Sequence, residues 1–172
     1  VLFIMVMNAM AQSKTFCIAK DGKTATIVVD EQDWKGVIRA ANDLGDDVRK
    51  VCGIASEVKT VNSQRSTLNA QLIVVTIGKS RLIDQLVKQK KLDVSKVKGQ
   101  WESFVIDGVD DNHVVAGSDK RGTIYGIYEI SQRIGVSPWY WWADVPVQHQ
   151  DELYWVDGRF VQPSPKVKYR GI

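Results

Sequence analysis

The hydrophobic pattern of the first fifty residues changes from a strand-like to a helical period. Two β-rich runs, residues 15–20 and 25–30, flank the pair Asp21-Gly22, which predicts a β-hairpin. Apolar residues then recur at three- and four-residue steps over residues 31–51, which predicts a long helix ending at Gly53. Its predicted buried face consists of Trp34, Val37, Ile38, Ala41, Leu44 and Val48.

The middle of the chain reads as strands separated by one further helix. Residues 72–77 are β-branched without alternation, which is typical of a central strand buried on both faces, and residues 58–61 fit a short edge strand. A helix is predicted from a cap at Ser80 through residue 92. Residues 101–107 and 113–117 predict an antiparallel pair. The intervening Asp and Asn residues are explained by turn chemistry.

The stretch from residue 117 to 147 carries the strongest pattern. Ser118 or Asp119 can cap a helix that ends near Gly135. Gly122 and Gly126 lie one turn apart, so their missing Cβ atoms predict close packing of the first half of this helix against a sheet; fraying of the helix end is the alternative. The predicted apolar face consists of Ile124, Ile127, Tyr128 and Ile134.

An aromatic loop follows this helix. Three of the six tryptophans fall within residues 139–142, and Tyr140 stands among them. Such a concentration indicates either a wedge in a packed interface or a surface on which sugars stack. The residues from 117 to 147 read GSDKRGTIYGIYEISQRIGVSPWYWWADVPV.

This string resembles the segment that closes the N-terminal domain of secreted α-glucuronidases of glycoside hydrolase family 115. The resemblance is densest over residues 113–172. The helix alone is also similar to the matching domains of hexosaminidases and of another xylan α-glucuronidase family. The implied fold is α+β and α/β-like: a mixed β-sheet with helices packed on it, as in the domain that precedes the barrel in those enzymes.

The resemblance also implies a function. These enzymes remove glucuronic acid or its 4-O-methyl ether from xylan side chains, with inversion, and their acid and base lie on a (β/α)8 barrel. We therefore expect no catalytic residue in this chain, no activity of the chain alone and no cofactor. The expected partners are a downstream barrel of the same polypeptide and glucuronoxylan. A stand-alone carbohydrate-binding module that uses surface tryptophans is the alternative.

The ends of the chain suggest a domain organisation. Residues 1–7 are apolar, and Ala9-Met10-Ala11 has the form of a signal peptidase site. Residues 1–11 therefore resemble part of a secretory signal peptide and predict export to the periplasm or the extracellular space; a buried strand is the alternative. The stretch is too short to span a bilayer. Residues 12–162 are the expected accessory domain. Residues 163–172 are the expected linker and barrel start. Asp157-Gly158 predicts a second hairpin, between residues 153–156 and 159–162.

Composition excludes several other functions. A net charge of +3 and a lysine cluster without interleaved aromatics do not indicate nucleic-acid binding. Gly78-Lys79-Ser80 lacks the glycine that a phosphate loop needs at position 73. Two histidines and two cysteines provide no metal-ligand spacing. For Cys17 and Cys52, two buried thiols are favoured over a disulfide, which export would permit.

Four residues are candidates for substrate binding. Trp142 and Asp144 could meet glucuronic acid at the domain junction, through a ring face and a hydrogen-bond acceptor. Lys120 or Arg121 could pair with the sugar carboxylate. The alternatives are that the tryptophans wedge this domain against the barrel and that the two cations satisfy a nearby loop. An exposed apolar patch would also favour self-association of the isolated chain.

Overall fold

A computed structural model describes residues 15–62, 71–156 and 158–168. The predicted signal peptide and the last four residues lie outside this part of the chain. In chain order the elements are β1 Phe16–Lys20, β2 Lys23–Thr24, β3 Thr26–Asp30, α1 Lys35–Cys52, β4 Val58–Val61, β5 Gln71–Thr76, α2 Arg81–Lys88, β6 Phe104–Val109, β7 Asn112–Gly117, α3 Lys120–Arg133, α4 Tyr140–Ala143, β8 Leu153–Trp155 and β9 Phe160–Gln162.

A mixed six-stranded sheet forms the centre of the fold, which confirms the predicted α+β class. Its strand order is β4-β3-β5-β7-β6-β9. The first four strands of this order are parallel, and β6 pairs antiparallel with both β7 and β9. The predicted central strand, β5, lies between β3 and β7, and Leu72 to Val75 are each at most 2% exposed. The predicted edge strand, β4, is at the sheet edge.

Both predicted hairpins need correction. The Asp21-Gly22 turn does join β1 to β2, but β2 ends at Thr24 and the chain then enters the other sheet as β3. The strands β8 and β9 do not pair: β8 joins β1 and β2 in a small three-stranded sheet, whereas β9 pairs with β6. An Asp-Gly pair specifies a local turn, whereas the pairing of the flanking strands depends on contacts with residues distant in the chain.

The helices cover the two faces of the large sheet. The core on one face joins α1 and α3 with β1 and β8, and the core on the other face joins α2 with residues 92–97. The long helix α1 ends at Gly53, which adopts the left-handed conformation as predicted. Trp34 is not on its buried face, because it precedes the helix and is 46% exposed. The helix α2 ends at Lys88, four residues before the predicted end.

The predicted contact between α3 and the sheet is confirmed. Asp119 caps α3 by accepting a hydrogen bond from the Gly122 backbone N–H at 2.7 Å. A Cβ atom on Gly122 would lie 2.2 Å from the Ser103 carbonyl oxygen, and one on Gly126 would lie 2.6 Å from a methyl of Val115. The other predicted cap, Ser118, instead bonds to Ser103.

The buried face of α3 differs from the predicted one. Ile127 and Ile134 are buried as expected, but Tyr128 is 43% exposed and Ile124 is half-buried. The stripe that meets the sheet contains the small residues Gly122, Thr123 and Gly126. Small residues allow the helix backbone to approach the sheet, so the large side chains are displaced to the flank.

None of the described helices is long and apolar enough to cross a membrane.

Candidate functional site

The aromatic loop forms the short helix α4, which leaves its tryptophans largely uncovered. Trp139, Trp141 and Trp142 are 64%, 78% and 84% exposed. Only Tyr140 packs against the core, and the Trp141 ring meets its ring edge-on at 5.0 Å between centroids. Aromatic side chains this exposed lose most of the stabilisation that burial provides. The loop is therefore available to a ligand or a partner.

A groove of about 420 Å³ lies where α4 folds over the outer flanks of α1 and α3. The helix α3 contributes Tyr125 and Tyr128, and α4 contributes Tyr140 and Trp141. The remaining lining residues are Asp47, Glu129, Ser131, Gln132, Val136, Ser137 and Pro138. Three tyrosines and one tryptophan thus surround a small concave space with hydrogen-bonding groups between them, the composition expected of a ligand pocket.

Hydrogen bonds and ion pairs fix the rim of this groove. The Tyr128 hydroxyl donates to Asp43 Oδ2 at 3.0 Å, and burial together with this bond raises the pKa of Tyr128 to about 12. Lys50 Nζ pairs with Asp47 Oδ1 at 2.7 Å and lies 5.0 Å from the centre of the Tyr140 ring. Arg133 Nε donates to Glu129 Oε1 at 2.7 Å. The charged residues at the rim therefore have partners within the domain.

The structure separates the four candidate substrate-binding residues into two pairs. Trp142 and Asp144 lie in and directly after α4, where Asp144 is exposed with a φ of 48°. Lys120 and Arg121 lie in the first turn of α3, whose 14 residues span about 21 Å. The pairs therefore belong to different ends of α3. Their contact with a sugar stays a prediction.

Arg121 also has a partner of its own. Its Nη1 donates to Glu102 Oε1 at 2.8 Å, and Glu102 belongs to the loop before β6. This bond raises the pKa of Arg121. The contact matches the alternative that a cation at this position satisfies a nearby loop.

A buried histidine lies where the two sheets meet. His113 is 1% exposed, its ring stacks on Phe16 at 5.1 Å, and it lies 5.6 Å from the Trp155 ring. Its Nε2 has no hydrogen-bond partner among the described residues. Burial without an anionic partner lowers the pKa of His113 to about 4, because the apolar surroundings disfavour the charged ring.

A second buried polar cluster lies at the carboxyl ends of the parallel strands. The Asp33 carboxylate accepts bonds from the Thr76 backbone N–H and hydroxyl, both at 2.7 Å. The Thr76 hydroxyl is also 2.8 Å from the Thr123 hydroxyl, which belongs to α3. The cluster holds β5 and α3 together, and all three groups are engaged with one another. It is therefore a structural network.

The carboxylates of Asp93 and Asp107 both bind Arg159, whose guanidinium lies between them. Arg159 binds Asp107 through Nη1 at 3.3 Å and Asp93 through Nη2 at 3.2 Å. Burial raises the pKa of Asp107, whereas bonds from Ser95 lower the pKa of Asp93. The arginine occupies the space that a glycosidic bond would need between an acid and a base. The arrangement instead ties the chain before β9 to β6.

Cys17 and Cys52 are both free, but Cys17 is exposed and Cys52 is only partly buried, so the prediction that both thiols are buried is wrong. Cys17 points away from the core because side chains alternate along β1. Within residues 15–62, 71–156 and 158–168, no group of three or more His, Cys, Asp or Glu side chains could hold a metal ion.

Comparison with known proteins gives one informative result. No family model and no curated protein matches the chain. Among solved structures, the chain is similar to BtGH115A, a family GH115 4-O-methyl-α-glucuronidase with specificity for decorated arabinogalactans. The match has 31% sequence identity and a TM-score of 0.72, and it covers 90% of this chain and 19% of that protein.

Over nine-tenths of its length the chain shares the fold of a domain of this glycoside hydrolase, and nearly a third of the residues are identical. The family is glycoside hydrolase family 115, which confirms the resemblance found in residues 117–147. The chain spans about a fifth of the length of this relative.

The groove was not anticipated from the sequence. The hydrophobic pattern predicts that Tyr128 is buried and gives no role to Tyr125. The signal that could have indicated it is the spacing of these two tyrosines, which places both on the flank of α3 beside the stripe that carries Gly122 and Gly126.

Proposed function

We propose that this chain is the non-catalytic N-terminal domain, over residues 12–162, of an exported glycoside hydrolase that removes glucuronic acid or its 4-O-methyl ether from a polysaccharide. In this proposal residues 1–11 are part of a signal peptide, and residues 163–172 lead into a (β/α)8 barrel that performs inverting hydrolysis. The observation that carries it is the structural match to a GH115 enzyme of which this chain spans only 19%.

The exposed aromatic side chains support a docking role for α4. Trp139 and Trp142 are three residues apart and therefore lie on the same side of this helical turn, whereas Tyr140 and Trp141 face the groove. Two tryptophans more than 60% exposed on one side provide the apolar anchor that an interface needs. We infer that Trp139 and Trp142 pack on the barrel of the same polypeptide.

The distribution of carboxylates supports a catalytic centre outside this chain. Hydrolysis of a glycosidic bond with inversion needs an acid and a base about 6.5–9.5 Å apart with room for a water and the sugar between them. The pair bridged by Arg159 has no such room. Trp142 and Asp144 lie on the predicted docking side, so they are the residues of this domain that we expect nearest to bound glucuronic acid.

The substrate needs to be tested with two polysaccharides. The sequence resemblance favours glucuronoxylan, whereas the relative BtGH115A has specificity for decorated arabinogalactans. The complete polypeptide encoded by the gene should be incubated with each polymer, and release of glucuronic acid and its 4-O-methyl ether should be measured by chromatography. We expect release from glucuronoxylan. A folded complete polypeptide that releases neither sugar from either polymer would contradict the proposal.

A double variant and a matched control test whether α4 docks on the barrel. Replacing both Trp139 and Trp142 by Ala should reduce release of the sugar by the complete polypeptide and separate its thermal transitions. The control is Trp34→Ala, which removes an exposed tryptophan that lies beside Lys79, away from α4. Equal effects of the control and the double variant would refute a specific role for α4.

A second candidate function is a stand-alone carbohydrate-binding module. The observation that favours it is the exposure of Trp141 and Trp142. It predicts that glucuronoxylan oligosaccharides quench the tryptophan fluorescence of the isolated chain, while the complete polypeptide releases no sugar. Quenching accompanied by glucuronic acid release would instead favour the accessory domain of an enzyme.

A further inference from the structure

We propose that the groove between α1, α3 and α4 binds a neutral pyranose unit of a polysaccharide chain. This inference rests on the proposed function only in taking a polysaccharide as the substrate class. It concerns the groove lined by Tyr125, Tyr128, Tyr140 and Trp141, which is a different surface from the side of α4 that carries Trp139 and Trp142.

The aromatic rings supply the apolar contacts that a pyranose needs. A pyranose ring has two faces of C–H groups, which pack on aromatic rings, and a rim of hydroxyls, which require hydrogen bonds. Tyr125 is 39% exposed and Trp141 is 78% exposed, so both offer ring surface without a change in the fold. Tyr128 is held in place by its bond to Asp43. A volume of about 420 Å³ is sufficient for one or two sugar units.

A buried hydroxyl without a partner indicates where the sugar hydroxyls would bind. Ser131 lines the groove and is 4% exposed, and its Oγ makes no hydrogen bond within the described residues. A buried polar atom without a partner costs about 1–3 kcal/mol, so native proteins retain few of them. A sugar hydroxyl in the groove would complete this bond. Gln132, also in the lining, supplies a second donor and acceptor.

The charges around the groove favour a neutral sugar over an acidic one. The lining includes Asp47 and Glu129 and, among the described residues, no Lys or Arg. The nearby cations, Lys50 and Arg133, already bind these two carboxylates at 2.7 Å each. Because these cations are already paired with Asp47 and Glu129, a uronate in the groove would lose its hydration without gaining an ion pair from the lining. The groove is therefore suited to hold a neutral backbone sugar, which leaves a charged side group outside it.

The test compares an exposed tryptophan that lines the groove with an exposed tryptophan outside it. Binding of xylotetraose, of β-1,6-galactotriose and of sodium glucuronate to the 172-residue chain should be measured by isothermal titration calorimetry. We expect at least one neutral oligosaccharide to bind and glucuronate to bind more weakly. Trp141→Ala should weaken neutral-sugar binding about tenfold, the equivalent of one stacked ring. Trp34→Ala removes an exposed tryptophan that lies beside Lys79 and outside the lining, and it should leave binding within about twofold of the parent.

A second variant separates binding from folding. Ser131→Ala removes a hydroxyl that has no partner in the free protein, so its thermal stability should equal or exceed that of the parent, while sugar affinity falls about threefold. The proposal is overturned if neither neutral sugar binds, if glucuronate binds more tightly than both, or if Trp141→Ala and Trp34→Ala behave alike. Because no turnover is needed, these results are independent of whether the complete polypeptide releases glucuronic acid.

Discussion

The replacement of Gly122 by Ala tests whether α3 is held against the sheet by backbone contact. In most helices this change stabilises, since Ala is about 1 kcal/mol more favourable than Gly in a helix interior. Here the new Cβ would lie 2.2 Å from the Ser103 carbonyl oxygen, a distance that real Cβ atoms essentially never show. The helix and the sheet must therefore separate by about 1 Å before ordinary van der Waals contact is restored.

That separation has a calculable cost. The Ser103 carbonyl accepts bonds from the Ser118 backbone N–H and hydroxyl, both at 2.9 Å, so it cannot move without straining them. Overpacking costs about 1–3 kcal/mol and each weakened hydrogen bond up to about 1 kcal/mol. After the helix-propensity gain is subtracted, Gly122→Ala should destabilise the domain by about 2 kcal/mol. In a chain of this size, that loss lowers the melting temperature by about 4–8 °C.

Gly36 provides the matched control. It also lies in a helix, α1, but a Cβ there would be 3.6 Å from a methyl of Ile124 and 3.9 Å from Lys120, both flexible side chains at ordinary contact distance. Gly36→Ala should therefore be neutral or stabilising by up to about 1 kcal/mol. Urea unfolding followed by circular dichroism measures both. A Gly122→Ala variant as stable as the parent, with an unchanged urea dependence, would refute the close-contact argument.

Two further predictions concern the buried histidine and the exposed tryptophans. Because the pKa of His113 is about 4 in the fold and about 6.5 when unfolded, the unfolded chain binds its proton first, and stability should fall by on the order of 3 kcal/mol between pH 6.5 and pH 4. His113→Phe should flatten this loss in urea unfolding measured across the interval, and His149→Gln, at an exposed histidine, should not. The isolated chain should self-associate at high concentration through Trp139 and Trp142. Sedimentation velocity should show less association after replacing both with Ser, and unchanged association would place the contact elsewhere.

The sequence alone determined the features that depend on local period and small residues. The unalternating run at residues 72–77 is the central strand, and Gly53 ends α1, because each follows from side-chain pattern or backbone freedom within a few residues. The contact of α3 with the sheet also follows from the sequence, because Gly122 and Gly126 lack the Cβ atoms that would prevent the helix backbone from approaching the sheet.

Which elements become neighbours depends on contacts between residues that are distant in the chain. The two adjacent β-rich runs at residues 15–20 and 25–30 predict a hairpin. In the structure β3 pairs instead with β4 and β5, because Ile27 and Val29 are buried under α1 and α3 in the large sheet. The same holds for the aromatic loop. Its composition indicated a surface, but the folding of α4 over α3 brings Trp141 to Tyr125 and leaves Trp142 facing outward. Periodicity specifies the face of an element, whereas the partner of that face depends on residues far away in the chain.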